Sequence, residues 1–179
     1  MARIAVHRGD APEIEAFLAE RIYEHNAAAT GYHDAESFTA IQRDAAGAVE
    51  AGIAGYTWGG CCYVSHLWVS KALRGNGLGS ELLVAIERHA FAKGCVVVIL
   101  SSHSFQAPKF YARRGYERAA RVNDHPVGHS SIFYTKRLVA KVSLRSHDCT
   151  LNSARQSDTP HRLRADPPFL HPRLSWKSW

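Results

Sequence analysis

The segment from Arg74 to Ser80, RGNGLGS, holds three glycines within five residues and leads directly into an amphipathic stretch. Glycine lets the chain turn sharply and lets an anion approach the main chain without a Cβ in the way. The N–H groups at the start of a helix lack acceptors within the helix, and the helix dipole favours negative charge there. The segment therefore predicts a phosphate site made of main chain, although a tight strand-to-helix turn would use the same glycines.

Two other kinds of phosphate loop fit this segment less well. A Walker A loop places Lys directly after its last glycine, whereas Ser80 follows Gly79. A dinucleotide-binding fingerprint needs a third glycine at the position that Ser80 occupies. The sequence therefore indicates a phosphate loop of a different kind.

The hydrophobic pattern predicts the elements that would carry this loop. Arg3 to His7 is predicted as a first strand, and Asp10 is a candidate N-cap for a helix that has Pro12 in its first turn and ends at Gly31. Apolar residues recur at spacings of three and four along this helix, which predicts one inward-facing stripe. The stripe consists of Ile14, Phe17, Leu18, Ile22 and Tyr23.

Strand and helix patterns alternate through the rest of the first 139 residues. The run from Val96 to Leu100 is continuously apolar and rich in β-branched residues, which is typical of a strand covered on both faces. A hairpin and a third antiparallel strand precede the glycine segment, and two further strands close the domain. The strands are predicted at residues 37–43, 49–58, 61–69, 96–100, 116–122 and 130–138, and the later helices at 78–93 and 106–114.

Composition and charge divide the chain into a domain and an extension. Hydrophobic residues make up 46% of the 179 residues, which suits one globular domain, and no apolar run is long enough to cross a membrane. Residues 1–139 carry 15 Lys and Arg against 13 Asp and Glu (+2), whereas residues 140–179 carry 7 against 3 (+4) and hold four of the seven prolines. We predict a folded domain over 1–139 and an irregular or disordered basic extension over 140–179 that catalysis does not need.

The cysteines indicate neither a secreted disulfide framework nor a zinc site. Vicinal Cys61 and Cys62 are poor disulfide partners, and no Cys-x-x-Cys or paired histidine lies beside them, Cys95 or Cys149. We expect buried free thiols and no metal. Because the N-terminus lacks the apolar core of a secretory signal, a cytoplasmic location is expected.

Two motifs resemble those of the GNAT superfamily of acyltransferases. Arg74, Gly77 and Gly79 fill the fixed positions of its motif A, Arg/Gln-x-x-Gly-x-Gly/Ala. Residues 104–116, SFQAPKFYARRGY, are similar to its motif B, in which an aromatic residue and a tyrosine precede a short spacer, a glycine and an aromatic residue. One predicted helix and one buried strand separate the two motifs, as in the family. The resemblance covers about residues 3–138.

The resemblance implies a fold and a cosubstrate. The fold is an α/β (α+β) arrangement with a mixed, mostly antiparallel sheet of six to seven strands, splayed between its fourth and fifth strands and flanked by helices. Acetyl-CoA would lie in the splay, with its pyrophosphate on main-chain amides and its pantetheine along the preceding strand. The implied cofactor-binding residues are Leu67, Trp68, Val69, Arg74, Gly75, Asn76, Gly77, Leu78, Gly79, Ser80, Ser104, Ala107, Phe110 and Tyr111.

The implied reaction is acetyl transfer to a primary amine. An alkylamine has an ordinary pKa near 10.4, so about four molecules in ten thousand are neutral at pH 7 and a general base would help. Tyr111 matches the family position that commonly serves as general acid for the leaving thiolate. The family position that sometimes carries a glutamate base falls at Ile99, so His103 and His66 are the candidate bases and Glu24 is a weaker one.

The acceptor and the partners are less defined. By the same resemblance, residues 23–38 would wall the acceptor pocket, with Tyr32, His33, Asp34 and Glu36 near its ammonium group, and residues 123–129 are similarly placed. We expect a small-molecule or peptide amine as acceptor and no membrane partner, and we leave a homodimer open. One alternative is a degenerate module that binds acyl-CoA without turnover. Another, which only the basic extension supports, is a nucleic-acid-associated protein, and it is not favoured.

Overall fold

A six-stranded sheet with three helices makes up the described part of the computed structural model, which covers residues 4–6 and 8–139. The strands are β1 (Glu36–Arg43), β2 (Val49–Trp58), β3 (Cys61–Val69), β4 (Val97–His103), β5 (Glu117–Asn123) and β6 (Ser130–Arg137). The helices are α1 (Pro12–Thr30), α2 (Leu78–Ala92) and α3 (Pro108–Ala112), and a short 3₁₀ turn spans Lys71–Leu73.

The sheet has the strand order β1-β2-β3-β4-β6-β5. Of the neighbouring strand pairs that the structure describes, β3 and β4 run parallel and the others run antiparallel. A parallel pair needs a crossover between its strands, and α2 provides it. This mixed, mostly antiparallel sheet confirms the predicted fold class.

The predicted hairpin forms between β1 and β2, and its turn shows why. The Asp44 carboxylate accepts hydrogen bonds from the N–H groups of Ala46 (2.9 Å) and Ala48 (2.8 Å). Gly47 has a φ of +86°, a left-handed conformation that glycine adopts readily. An Asp that bonds its own backbone, followed by a left-handed glycine, favours a tight turn between the strands.

One face of the sheet carries the hydrophobic core. α2 packs on this face with a row of buried apolar residues spaced for a helix: Leu82, Leu83, Ile86 and Ala90. Opposite the row lie buried residues of the inner strands, including Ile53, Val64, Val98 and Leu100. α3 belongs to the same cluster through Tyr111. Because both α2 and α3 cover this face, we call it the inner face and the opposite one the outer face.

The predicted first strand is wrong for the residues that the structure describes. Residues 4–6 pair with no described strand, and Ile4 and Val6 are almost fully exposed. Arg3 and His7, the ends of that prediction, lie outside the described residues. A short alternation of apolar and polar residues is compatible with a strand, but a sheet strand forms only when a neighbouring strand hydrogen-bonds to it. The fourth and fifth predicted strands are therefore β3 and β4.

The predicted helix α1 forms, but its stripe faces the wrong way. Gly31 ends the helix in a left-handed conformation, and its N–H donates to the Ala27 carbonyl (2.8 Å), as predicted. At the other end Ala11, and not Asp10, is the N-cap. Four stripe residues are 55–60% exposed, whereas the partly covered face holds Tyr23 and Ala27. The exposed residues are Ile14, Phe17, Leu18 and Ile22.

The cysteine prediction is confirmed for most of the described thiols. Cys62 and Cys95 are buried and free, and Cys61 is free and half-buried. Burial raises the pKa of the Cys62 thiol to about 12, helped by the nearby Cys95, which keeps it protonated. Cys149 and the whole extension 140–179 lie outside the described residues. Within the described part, no helix is long and apolar enough to cross a membrane.

Candidate active site

The glycine segment forms the loop between β3 and α2 that the sequence predicts to bind an anion, and we call it the anion loop. Gly75 and Gly77 have φ of +87° and +89°, a region that other residues rarely adopt, and Gly77 is the N-cap of α2. Among the described residues, the amides of 75–79 have no hydrogen-bond acceptor. Five successive main-chain donors at the positive end of a 15-residue helix suit a diphosphate.

Arg74 stabilises this loop through a hydrogen bond to the end of β3. Its Nε donates a hydrogen bond to the Val69 carbonyl at the end of β3 (3.0 Å). The side chain thus ties the start of the loop to the strand that leads into it. Arg74 supports the loop's shape as well as adding positive charge beside it.

Arg114 adds a second guanidinium to the loop, and the sequence analysis did not find it. It donates to the Ser80 hydroxyl in the first turn of α2, and its Cζ lies 5.7 Å from the centre of the Phe110 ring. A Cβ on Gly79 would stand 3.7 Å from that same Phe110 ring, so α3 abuts the loop. The available signal was a pair of arginines before Gly115 in motif B, but their contact with α2 depends on tertiary packing.

β3 and β4 separate directly beside this loop. They pair only from Cys61 with Val97 to Val64 with Leu100, although β3 continues to Val69 and β4 to His103. Beyond Val64, the β4-facing edge of β3 therefore carries main-chain groups without a strand partner. A ligand with amide groups of its own can add to such an edge as a strand would. The predicted residues Leu67, Trp68 and Val69 lie along it.

A β-bulge marks the point of separation. Ala54 pairs with His66 and Gly55 with Val64, so Ser65 is an extra residue on β3. After the bulge the alternation resumes with Leu67 against the core, which leaves His66 and Trp68 exposed on the outer face. The cleft between β3 and β4 thus has the loop and α2 on its inner side and these two side chains on its outer side.

Tyr111 on α3 is the candidate acid. The residue is 8% exposed, and its ring contacts those of Phe110 (5.1 Å) and Tyr134 (5.7 Å between centroids). Burial, with a smaller contribution from Tyr134, raises its pKa to about 12, so the hydroxyl is a donor at neutral pH. Among the described residues the hydroxyl has no partner, and it is not one of the fully enclosed polar atoms. The hydroxyl oxygen is therefore not fully enclosed by the described residues.

Tyr116, the aromatic residue that closes motif B, is held differently. It is buried, and its hydroxyl donates to Glu87 on α2 (3.1 Å), whose other oxygen pairs with Lys136 on β6 (2.7 Å). This hydrogen-bonded group joins α2, β6 and the segment before β5. Tyr116 is therefore committed to the core.

His103 lies at the end of β4 on the outer face. Its ring nitrogen Nδ1 is 3.1 Å from the carbonyl of His125 in the β5–β6 loop. A carbonyl only accepts, so Nδ1 carries the proton and Nε2 is the nitrogen of the neutral ring that can take one. The ring stacks on Phe105 (5.3 Å) and meets the edge of His125 (5.3 Å), and His129 meets Phe105 (4.9 Å).

His66 occupies the other lip of the cleft. It is exposed on β3, and its Nδ1 lies 3.0 Å from the hydroxyl of Ser65, the bulge residue. Ser65 in turn donates to the Ala54 carbonyl (3.0 Å). The two candidate bases therefore stand on separate strands that flank one opening. Ile99 also lies on the outer face of β4, and its side chain has no ionisable group.

The remaining predicted cofactor residues gather where β4 leads into α3. Ser104 is tied to β6, because its hydroxyl accepts the Ser130 N–H (3.2 Å) and its N–H donates to the Ser130 carbonyl (2.8 Å). Ala107 is the N-cap of α3, and Phe110 packs against the glycine loop. Of this group, the structure places Phe110 directly against the glycine loop.

The loop within residues 23–38, which was predicted to wall the acceptor pocket, lies away from the opening between β3 and β4. Tyr32 packs on Gly59, and Glu36 pairs in register with Thr57, so these residues lie where β3 and β4 are still hydrogen-bonded. There they border a separate pocket of about 300 Å³, lined by His33, Asp34, Glu36, Thr57, Lys93 and Cys95. The physical reason is that α1 continues unbroken to Thr30 and delivers the loop to this closed end. Glu24 is ion-paired with Arg21 (2.7 Å) on the exposed part of α1.

The anion loop beside two diverging parallel strands is the arrangement that the resemblance to acyl-CoA-dependent transferases implies. The match to a family profile makes this specific: residues 5–116 match the acetyltransferase (GNAT) family. The chain belongs to that family, which confirms the resemblance. Members transfer acetyl groups from acetyl-CoA, so this protein is an acyltransferase with acetyl-CoA as its cosubstrate.

Individual relatives agree with this membership. The chain is 38% identical over 93 residues to a blasticidin-S acetyltransferase of Streptomyces morookaense, a match that covers 51% of this chain and 68% of the relative. It is 27% identical over 125 residues to an acetyltransferase of Agrobacterium fabrum, covering 70% of this chain and 91% of that one. A crystal structure of an acetyltransferase from Bacillus cereus superposes with a TM-score of 0.64 at 32% identity, covering 75% and 98% of the two chains.

Proposed function

We propose that the protein is an N-acetyltransferase that moves the acetyl group of acetyl-CoA to a primary amine of a small molecule or peptide by direct attack. The observation that carries this proposal is the position of the anion loop at the mouth of the β3–β4 cleft. A cofactor anchored by its diphosphate at Gly75–Gly79 would extend along β3 and bring its thioester to the bulge at Ser65. The described residues suit acetyl-CoA in charge and in hydrogen-bonding capacity.

The acceptor would approach from the outer face. α2 and α3 occupy the inner face together with the anion loop, whereas His66 and His103 flank the opening on the other side. Nε2 of His103 would take a proton from the acceptor's ammonium group and so free the amine for attack, because the His125 carbonyl holds the proton of the neutral ring on Nδ1. His66 is the alternative base from the opposite strand.

The departing thiolate would be met by Tyr111. As the C–S bond breaks, the sulfur gains charge, and the protonated phenol donates a hydrogen bond and then its proton to it. The ammonium group gives one proton to the base before attack, and the nitrogen loses a second to solvent as the amide forms. The tyrosine regains its own proton from solvent, so the reaction yields an amide, free CoA thiol and one net proton. Burial raises the pKa of Tyr111 to about 12, so the acid form is present across the whole working pH range.

The names of the relatives indicate which acceptor to test first. The Streptomyces morookaense relative is named for acetylation of blasticidin S, so blasticidin S is the first acceptor to test. A wider panel should contain alkylamines, polyamines, amino acids and short peptides. Release of free CoA thiol, measured with each amine at fixed acetyl-CoA, tests the proposal. Thiol release that depends on one class of amine is expected.

A second candidate function is an acyl-CoA-binding module without turnover. It is favoured by Ile99, which stands where some relatives by resemblance carry a glutamate base. Stoichiometric acetyl-CoA binding without thiol release on the whole amine panel would select this module over the enzyme. A cytoplasmic location and assembly as a homodimer are proposed from the sequence alone.

A further inference from the structure

The most extensive uncovered apolar surface of the described helices lies on α1. Ile14, Phe17, Leu18 and Ile22 form a row on one side of this helix and are 55–60% exposed. Their spacing of three and four residues places them on a single face. Scattered exposed apolar residues are ordinary, but a contiguous row on a helix indicates a surface that something covers. We call these four residues the α1 row.

The charge beside this row is strongly negative. α1 carries Glu13, Glu15, Glu20 and Glu24 against one arginine, Arg21, which gives a net charge of −3. Arg21 already contacts Glu24 (2.7 Å) and Glu20 (3.3 Å), and in the described residues Glu13 and Glu15 have no ion-pair partner. A second copy of the same helix would bring like charges together. The surface instead fits a basic partner that also carries apolar side chains.

The chain itself contains such a partner. Residues 140–179 carry 7 Lys and Arg against 3 Asp and Glu, which gives +4, and they also include Phe169, Leu170, Trp176 and Trp179. Both halves of the requirement, positive charge and large apolar side chains, are therefore present in one segment. The rest of the chain, residues 1–139, has a net charge of only +2.

This segment leaves the domain next to α1. The Leu138 N–H donates to the Val96 carbonyl (2.9 Å), and the Val96 N–H donates to the Gly60 carbonyl (2.8 Å). The neighbouring Gly59 lies against the ring of Tyr32, two residues after α1 ends. The point of exit and the C-terminal end of α1 thus lie at the same, closed end of the sheet.

The chain length is sufficient for the segment to cover the row. A 19-residue helix is about 28 Å long, whereas 40 residues can span more than 100 Å when extended. Because the two surfaces belong to one chain, their effective concentration is of the order of millimolar, so weak contacts suffice to keep them together. We propose that residues 140–179 bind the α1 row of their own chain, with arginines on the α1 carboxylates and aromatic side chains on the apolar residues.

Hydrogen–deuterium exchange on the full-length chain tests this. Peptides from residues 160–179 should exchange about tenfold faster in a Leu18→Ser, Ile22→Ser variant than in the wild type. Exchange in these peptides should become faster in the same way when Arg162, Arg164 and Arg173 are replaced by Gln, or when salt is added. Val84→Ser removes an exposed apolar side chain from α2 instead and should leave these peptides unchanged, as a matched control.

Two results would overturn the proposal. Residues 160–179 could exchange at one and the same rate in the wild type and in the α1 variant, which would show that they do not touch the row. Alternatively, protection of α1 could rise with protein concentration together with the mass of a dimer, which would assign the row to a second copy. Since neither readout depends on catalysis, failure here leaves the proposed function standing.

Discussion

At the scale of single residues, a Tyr111→Phe variant distinguishes a catalytic role of the hydroxyl from a structural one. Its hydroxyl has no hydrogen-bond partner among the described residues, so Tyr111→Phe should change the melting temperature little. If the hydroxyl serves the leaving thiolate, kcat should fall by about a hundredfold, within the usual range for general acid catalysis. Steady-state kinetics and thermal unfolding of the same preparation measure both. Unchanged turnover would remove the assignment.

His103 can be tested by varying the acceptor. His103→Gln keeps a side chain that can donate to the His125 carbonyl but removes the proton-accepting nitrogen. The loss of kcat/KM should be large for an alkylamine, which is protonated at neutral pH, and small for an aromatic amine that is already neutral. His66→Gln provides the matched comparison from the other lip of the cleft. Equal losses for both kinds of amine would show that His103 does not act as a base.

At the scale of elements, the geometry of the cleft rests on close contact between β2 and β3. A Cβ on Gly55 would stand 2.0 Å from the Tyr63 carbonyl oxygen, directly before the bulge at Ser65. Gly55→Ala should therefore push the strands apart and lower the free energy of unfolding by about 3 kcal/mol or more. At Gly52 the nearest atom is a side-chain methyl of Ile41 at 3.1 Å, so Gly52→Ala should cost less. Urea unfolding measures the free energy of unfolding of both variants, and equal stabilities would contradict the steric argument.

The individual elements also show which parts of the fold could be predicted from the sequence. The glycine loop, the hairpin turn and the cap at Gly31 were predictable because their causes are local. The first strand was not, since apolar alternation in residues 4–6 cannot report whether a neighbouring strand is present. Periodicity along α1 grouped four of the five stripe residues on one face, without Tyr23, but could not tell what that face meets. Arg114 was missed for the same reason, because its contact with Ser80 joins residues 34 positions apart.

At the scale of the whole molecule, the buried ionisable groups predict how stability depends on pH. Burial raises the pKa of Cys62 from an ordinary value near 9 to about 12 and that of Tyr111 from near 10 to about 12. A group whose pKa is higher in the folded state contributes stability that is complete below the unfolded pKa and is lost as pH rises toward the folded one. The free energy of unfolding should therefore fall between about pH 9 and pH 12.

Chemical denaturation at several alkaline pH values measures this fall. Each such group contributes up to about 1.4 kcal/mol per pH unit within its window, so the combined loss should be readily detected. Tyr111→Phe should flatten the decline between about pH 10 and pH 12, and a Cys62→Ala variant should flatten it from about pH 9. A stability that is constant up to pH 12 would contradict the burial of these groups.

At the scale of the whole molecule, the proposed function requires that the amides of residues 75–79 hold the diphosphate of acetyl-CoA. Calorimetric titration of the purified protein with acetyl-CoA tests it directly, with Gly77→Ala as the paired variant. We predict one site per chain, and a loss of about tenfold in affinity for the variant, because alanine is strained at a φ of +89°. No binding by the wild type, or equal binding by the variant, would contradict the claim.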